Sequence, residues 1–330
     1  MSDWDSGAYE DDVRPRMLAL AAGNQAFALA TIIAADGGPR PVGSQMVISG
    51  DEWWGFLSGG CIEADVARHG RGVLDGAEPR LLIYGKGSPW IDLRLPCGGR
   101  IEVFLERVAP GDDALKSLTT LTASRQPARW RSNGIVRRCH PASTIVAAQE
   151  KMIVDLAFGP VQQLVVVGSD PFALAMAAQG LSLGWATFLV SPFGPDTPPS
   201  LPVVYHRSGI ETSLSEIAVD RWTAVAVATH DRDVDERALT AALATDAGYI
   251  GVLGSRRRLP DRLASLRAIG ASDEQLDRIH APIGLSIGAV TPREVAVAVA
   301  GEIIASNAEA NARFEPSAAH YLDQALLLSA

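Results

Sequence analysis

The sequence predicts an α/β protein in two parts, a mixed α+β domain over residues 1–158 and a doubly wound parallel-sheet domain over residues 159–330. Three observations support this prediction. The 330 residues are enough for two domains of ordinary size. Hydrophobic residues make up 47% of the chain, which provides a core for each domain. Strands and helices alternate regularly in the second half only, as they do in parallel α/β sheets.

The first half combines helices with a hairpin-rich sheet. The apolar run AFALATIIAA at 26–35 favours a buried strand. The turn SGD at 49–51 lies between two short apolar runs and predicts a hairpin. In chain order, we expect helices at 8–22, 62–75 and 112–123, and strands at 26–35, 45–48, 52–56, near 80–84, at 100–107 and within 127–158.

The second half opens with LVVV at 164–167, a continuous apolar run that is typical of a strand buried on both faces. A helix at 172–183 follows, and the domain boundary is expected around 155–162. At 291–294, TPRE combines a capping threonine, a proline in the first turn and the glutamate of a capping box. Further strands are expected at 186–190, 202–205, 223–228 and 248–252, so this domain is predicted to be Rossmann-like.

The charge and the cysteine content exclude several classes of protein. A net charge of -9 argues against nucleic acid as the main partner, because phosphate backbones bind basic surfaces. The acidic start MSDWDSGAYEDD lacks the features of a secretory signal, and no apolar run is as long as a membrane span, so a cytoplasmic location is expected. Three cysteines without zinc-type spacing are expected to be free thiols.

The dinucleotide-binding fingerprint is incomplete in this chain. A Gly-x-Gly-x-x-Gly/Ala turn lets the backbone approach a pyrophosphate, and here it is GSDPFA at 168–173. Asp170 replaces the central glycine and would face the diphosphate, while Pro171 removes an N–H donor. The second strand of the domain ends at Ser191, where an acid would hold the ribose. We therefore expect a Rossmann scaffold whose crevice is empty or repurposed, and NAD(P) is not the expected cofactor.

Two cysteines lie beside glycine pairs. Cys61 follows Gly59 and Gly60, and Cys97 precedes GG at 98–99, a setting that leaves room for a ligand against the sulfur. Cys61 also opens the predicted helix at 62–75, and a helix N-terminus favours the thiolate, which binds soft metals. From spacing alone, burial as small apolar side chains is about as good an interpretation of both, and the helix start favours a functional role for Cys61. Cys139 lacks the glycines and is interpreted as incidental.

Other polar residues are candidates for anion binding. Arg40 lies in a Pro/Gly loop, and His230 follows a predicted strand at the edge where open α/β sheets bind ligands. Ser255 belongs to a Gly-Ser turn that leads into three arginines, of which Arg256 is the first. This pattern is typical of phosphate sites. Solvated arginines and a capping or packing histidine are the alternative interpretations.

Several of these segments resemble the XdhC/CoxI family. In the first half they are GGPRPVGSQM at 37–46, SGGCIE at 58–63 and PCGG at 96–99. In the second half they are ATHD at 228–231, YIGVLGSRRR at 249–258 and IHAPIGLSIGAVTPRE at 279–294. The resemblance covers roughly residues 27–305, and the last segment is long and specific. The chain departs from the family in its fingerprint turn and at Ser191, where the family has an acid.

The resemblance implies a chaperone that binds the molybdenum cofactor, as molybdopterin or its cytosine dinucleotide form, assists its sulfuration and inserts it into a hydroxylase of the xanthine dehydrogenase or aldehyde oxidoreductase type. The implied partners are the apo-hydroxylase, a cysteine desulfurase, a cofactor nucleotidyltransferase and a second copy of the chain. The site residues expected to hold this cargo are Cys61, as the molybdenum contact, together with Cys97, Gly59, Gly60, Arg40, His230, Ser255 and Arg256. Two alternatives stay open: an NAD(P)-dependent oxidoreductase and a scaffold protein without a cofactor.

Overall fold

The computed structural model describes residues 10–38, 40–88, 95, 98–144 and 151–311. Two compact units divide the chain: the first ends at Gly159 and the second begins at Pro160. Cys97, a candidate cargo ligand, lies outside the described residues. Within the described part of the chain, no helix is both long enough and apolar enough to cross a membrane.

An antiparallel sheet of five strands organises the first unit. Its strands, in spatial order, are β3 (Glu52–Gly55), β2 (Gln45–Ser49), β1 (Phe27–Asp36), β5 (Arg100–Val108) and β4 (Arg80–Gly85). The central strand β1 is buried along most of its length because both faces of the sheet are covered. Phe27 and Leu29 face one apolar cluster, and Ala28 and Ala30 face the other, as the two-residue period of a strand requires.

Different elements cover the two faces of this sheet. Residues of α1 (Arg14–Ala22) and α3 (Asp113–Ala123) pack into one cluster, and those of α2 (Glu63–Leu74) pack into the other. A small sheet also contributes to the first cluster, in the order β7 (Arg137–Pro141), β6 (Ala128–Ser132) and β8 (Val154–Phe158). The predicted helix at 8–22 begins later in the structure, at Arg14.

A parallel sheet of six strands organises the second unit. Its order is β11 (Val204–His206), β10 (Ala186–Val190), β9 (Gln163–Val167), β12 (Thr223–Val227), β13 (Tyr249–Val252) and β14 (Ile279–His280). Numbered within the unit this order is 3-2-1-4-5-6, the usual order of a dinucleotide-binding sheet, so the Rossmann-like prediction is confirmed. The order reverses between β9 and β12, which creates the crevice at their carboxyl ends.

Helices cover both faces of the parallel sheet, as a doubly wound fold requires. Residues of α4 (Pro171–Ser182) and α9 (Pro292–Asn311) pack on one face. Residues of α5 (Ile210–Ile217), α6 (Arg232–Leu243), α7 (Leu259–Ala268) and α8 (Asp273–Leu276) pack on the other. The three arginines after β13 form a 3₁₀ turn, Arg256–Arg258, before α7 begins.

The capping box predicted at the start of the final helix is present. The backbone N–H of Glu294 donates to Thr291 Oγ1 over 3.4 Å, and the backbone N–H of Thr291 donates to Glu294 Oε2 over 2.9 Å. The backbone N–H groups of Thr291 and Val290 both donate to the Glu294 carboxylate, and they hold its pKa below the ordinary value. The segment at 279–294 therefore ends in a firmly defined helix start.

Candidate functional site

The loop between β3 and α2 presents Cys61. The thiol is free and exposed, and Gly59 and Gly60 beside it are exposed as well. A Cβ atom added to either glycine would meet no atom within 4 Å, so open space surrounds the loop that carries the sulfur. Gly60 has φ +99°, a conformation that favours glycine. These three predicted site residues therefore lie together on an open loop.

The carboxylate of Glu63, the first residue of α2, holds this loop from its buried side. Its Oε1 accepts hydrogen bonds from the backbone N–H groups of Leu57 at 3.0 Å and Ser58 at 2.7 Å. Its Oε2 accepts from the Ser58 hydroxyl at 2.7 Å and from the backbone N–H of Ile62 at 3.2 Å. The Ser58 hydroxyl in turn accepts from the backbone N–H of Cys61 at 3.0 Å.

These bonds also set the charge state of Glu63. Burial by itself raises the pKa of this carboxyl, but the hydrogen bonds from Ser58 and from neighbouring backbone N–H groups outweigh burial and lower it. The loop is thus built around a buried, ionised carboxylate. Glu63 was not among the predicted site residues, although its place two residues after the cysteine at a helix start is visible in the sequence.

Arg40 is engaged with its surroundings and not held out to solvent. Its guanidinium carbon lies 4.1 Å from the centre of the Phe56 ring, immediately before the Cys61 loop, and its Nη2 lies 2.8 Å from Asp11 Oδ1. The Nε atom is buried and has no hydrogen-bond partner among the described residues. Arg40 therefore packs beside Phe56, the residue that leads into the loop.

The glycines that follow Cys97 have a structural reason of their own. A Cβ atom on Gly99 would lie 2.6 Å from the carbonyl oxygen of Asp36 and 2.7 Å from that of Gly37. Gly98 has φ +70°. Close backbone packing therefore accounts for Gly99 without any ligand, whereas a Cβ atom at Gly59 or Gly60 would meet open space, and of these two only Gly60 has a φ that favours glycine.

In the second unit, the fingerprint turn is closed by its own carboxylate. Asp170 is the N-cap of α4, and its Oδ1 accepts a hydrogen bond from the backbone N–H of Ala173 at 2.8 Å. This bond occupies a helix N-terminus that would otherwise bind a phosphate. A Cβ on Gly168 would lie 2.1 Å from the carbonyl oxygen of Ala228, so this glycine is required by strand packing.

His230 lies between two cavities at the carboxyl edge of the parallel sheet. Its Nε2 is 3.0 Å from Asp170 Oδ2, and its side chain is 77% exposed. The smaller cavity, about 220 Å³, is the crevice around Gly168, Ser191 and Asp170. The larger, about 520 Å³, lies between the crossovers that follow β12 and β13. Because His230 lines both, it marks the border between them.

A buried ion pair lines the larger cavity. Arg262 Nη2 lies 2.5 Å from Asp235 Oδ2, and the Thr229 hydroxyl donates to Asp235 Oδ1 over 2.7 Å. Burial raises the pKa of Asp235, although the Thr229 bond and the charge of Arg262 oppose it. The complete lining is Phe172, Thr229, His230, Arg232, Asp235, Leu253, Gly254, Arg258, Asp261 and Arg262. The predicted residues Ser255 and Arg256 are exposed and do not belong to it.

A second carboxylate, Glu302 of α9, organises the segment at 279–294. Its Oε2 accepts from the Tyr249 hydroxyl at 2.5 Å and from the backbone N–H of Gly284 at 2.8 Å, and its Oε1 lies 3.5 Å from His280 Nδ1. The Tyr249 and His280 rings stack with centroids 4.4 Å apart. Burial and the Glu302 carboxylate raise the pKa of Tyr249. The long specific segment is thus tied to the final helix.

Cys139 differs from Cys61 in its setting. It is half-buried on β7, where it packs against the first apolar cluster, and burial raises the pKa of its thiol to about 12. Across the described ranges, no group of three or more His, Cys, Asp or Glu side chains forms a potential metal site.

Known proteins resemble the chain along most of its length. The model of the XdhC and CoxI family matches residues 20–85, and that of the XdhC Rossmann domain matches residues 164–303. The molybdenum cofactor insertion chaperone PaoD of Escherichia coli is 29% identical over 288 residues, which are 86% of this chain and 84% of PaoD.

Two further proteins share this similarity. A protein of Bacillus subtilis described as a probable component of xanthine dehydrogenase is 25% identical over 319 residues, which are 84% of this chain and 92% of that protein. A solved structure of a xanthine dehydrogenase from Bacillus halodurans superposes with a TM-score of 0.70 at 23% identity, covering 90% of this chain and 96% of that one. That superposition shows a shared fold.

Proposed function

The chain belongs to the XdhC and CoxI family, and from this premise we propose that it binds the molybdenum cofactor as cargo, assists its sulfuration and inserts it into a molybdenum hydroxylase. The relative PaoD, a molybdenum cofactor insertion chaperone, supports this proposal. The cargo is molybdopterin or its cytosine dinucleotide form. The hydroxylase is of the xanthine dehydrogenase or aldehyde oxidoreductase type.

The observation that carries the proposal is the open loop of Cys61. An exposed thiol, flanked by two exposed glycines and held from beneath by the Glu63 carboxylate, leaves space for a bulky ligand against the sulfur. A thiolate is a suitable ligand for a soft metal centre such as molybdenum bound by sulfur. An open site also suits a chaperone, which has to release its cargo. This loop lies within the residues that match the XdhC and CoxI family model.

The proposal includes several partners. The apo-hydroxylase receives the cargo, a cysteine desulfurase supplies sulfur, and a cofactor nucleotidyltransferase precedes the chaperone when the cargo is the dinucleotide form. We also propose that the chain acts in the cytoplasm and as a homodimer, the commonest arrangement of soluble oligomers. Of the other predicted site residues, Arg40 is proposed to assist from beside Phe56. Cys97 remains a proposed second ligand.

Cofactor retention and transfer test this function directly. We expect the protein, purified from cells that make the cofactor, to carry molybdenum and pterin in equal amounts, and Cys61→Ala to lose most of both. Activation of the apo-hydroxylase by the variant should fall in parallel. Cys139→Ala is the matched control, because it also removes one thiol but from a half-buried strand position. Undiminished retention and activation by Cys61→Ala would contradict the role of Cys61.

A further inference from the structure

Two arginines from neighbouring crossovers converge on the larger cavity of the second unit. Arg232 begins α6, which follows β12, and Arg258 ends the 3₁₀ turn that follows β13. Within the described part of the chain, neither guanidinium has a carboxylate partner, and Arg232 donates to the Ser265 hydroxyl over 2.8 Å. The third arginine of the lining, Arg262, is neutralised by Asp235. Because Asp261 also lines the cavity, three arginines face two carboxylates, and the lining carries a net positive charge.

The remaining lining is suited to an organic anion. Phe172 and Leu253 provide apolar surface, and Thr229 and His230 provide polar groups. The carboxylates of this lining are Asp235, which is paired, and Asp261. The volume of about 520 Å³ exceeds what a bare phosphate fills and lies in the usual range of small-molecule sites.

The fingerprint turn is not available to the same ligand. Its helix N-terminus is capped by the Asp170 carboxylate, which would repel a phosphate, and Pro171 offers no N–H donor. The carboxyl edge of the sheet therefore has one location where a phosphate meets negative charge and another where it meets two guanidinium groups without a carboxylate partner among the described residues. Guanidinium groups bind phosphate oxygens through paired, charge-assisted hydrogen bonds.

We propose that the larger cavity, and not the fingerprint turn, binds the phosphate-bearing end of the cargo through Arg232 and Arg258. The identity of the cargo rests on the proposed function, whereas the preference for a phosphorylated heterocycle rests on the cavity itself. Arg258 takes the place that the sequence assigned to Arg256, because it is the member of the arginine turn that lines the cavity.

Titration calorimetry on the full-length protein tests the cavity with three probes: cytidine 5′-monophosphate, inorganic pyrophosphate and cytidine. We expect the monophosphate to bind tightest, pyrophosphate to bind more weakly and cytidine not to bind measurably. Tighter binding of pyrophosphate than of the monophosphate would show that a free phosphate is the natural ligand. It would overturn the proposed preference for a phosphorylated heterocycle. Failure of both anions to bind at millimolar concentration would overturn the site.

Substitutions locate the binding. Arg258→Ala and Arg232→Ala should each lower the affinity for the monophosphate about tenfold or more, because each removes a charge-assisted hydrogen bond. Arg257→Ala is the matched control, because this arginine is exposed on the same turn but does not line the cavity. The affinity of this variant for the monophosphate should stay within twofold of that of the unchanged protein. An equal loss in all three variants would overturn a specific site, and unchanged melting temperatures exclude unfolding as the cause.

The two proposals fail separately. If the protein binds the monophosphate through Arg258 but purifies without molybdenum and pterin, the cavity stands and the proposed function falls. If the protein carries the cargo, and Arg258→Ala carries as much of it and binds the monophosphate equally well, the proposed function stands and the cavity proposal falls.

Discussion

Each unit has a carboxylate at the start of a helix next to a glycine-bearing turn, and the two carboxylates have opposite effects. Glu63 reaches under its loop, binds the backbone of Leu57 and Ser58, and leaves Cys61 exposed above. Asp170 reaches over the N-terminus of α4 and binds the backbone N–H of Ala173, one of the terminal donors that bind phosphate in dinucleotide-binding folds. The first carboxylate holds a site open, and the second closes one.

The difference follows from which donors each carboxylate satisfies. The donors bound by Glu63 lie in the loop before the helix, so the surface of that loop remains free for a ligand. The donor bound by Asp170 is one of the helix's own terminal N–H groups, which are the groups that bind anions. Acidic residues near glycine turns therefore have to be interpreted by the donors they bind and not by their spacing alone.

The largest expected effect is the difference in reactivity between the thiols of Cys61 and Cys139, which tests whether the Cys61 loop is open. Burial raises the pKa of Cys139 to about 12, so at neutral pH it carries about a thousandfold less thiolate than an ordinary thiol. We expect iodoacetamide to label Cys61 far faster than Cys139, as measured for each cysteine by peptide mass spectrometry. Comparable rates at the two positions would contradict an open Cys61 loop.

Removal of the Glu63 carboxylate is expected to have the next largest effect. Glu63→Ala leaves the backbone N–H groups of Leu57 and Ser58 and the Ser58 hydroxyl without their acceptor, and should lower the free energy of unfolding by about 3 kcal/mol. Urea unfolding measures this loss. Glu78→Ala, at an exposed position, is the control and should change stability by less than about 0.5 kcal/mol.

The same carboxylate makes the loop sensitive to acid. Because the folded-state pKa of Glu63 lies below its ordinary value of 4.5, its contribution is present above that value and is lost as the pH falls through the folded-state pKa. The stability difference between the unchanged protein and Glu63→Gln should therefore shrink as the pH is lowered from about 6 to about 3. A difference that grows toward low pH would contradict an ionised Glu63.

Changes at Asp170 are expected to have the smallest effect. Asp170→Ala removes the cap of α4 and should cost about 1 kcal/mol, whereas Asp170→Asn keeps a capping oxygen and should cost less. The unchanged protein should show no saturable rise in melting temperature with NAD(H) or NADP(H). Such a rise, if it persists in Arg258→Ala, would revive the oxidoreductase alternative and show that Asp170 does not close the turn.

Much of the fold was predictable because it is determined by residues that lie close together in the sequence. The apolar run at 164–167, the alternation after it and the capping box at Thr291 are each decided by neighbouring residues, and the structure contains all of them. The 3₁₀ turn at Arg256–Arg258 was not foreseen as such; Pro260, which lacks an N–H, stands in the first turn of α7 that follows.

The site was less predictable because its parts come together only in the folded chain. That Arg232 and Arg258 share a cavity depends on the pairing of β12 with β13. That the buried Glu63 and the half-buried Glu302 act as acceptors depends on loops and helices folding around them. The glycines marked Cys61 as a candidate but left its exposure undecided, and the same pattern at Gly99 has a different cause, the close approach of Asp36.

The helix α9 also affects the order in which the second unit can assemble during synthesis. Met176 and Ala177 of α4 pack in one cluster with Val299 and Ile303 of α9, although α4 leaves the ribosome first and α9 follows the rest of the unit. Until α9 emerges, this face of the sheet lacks the part of its cover that α9 provides, and contacts that are distant in sequence form slowly. The nascent second unit is therefore prone to aggregation with other chains for most of its translation. The segment at 279–294 becomes fixed only after Glu302 has been synthesised.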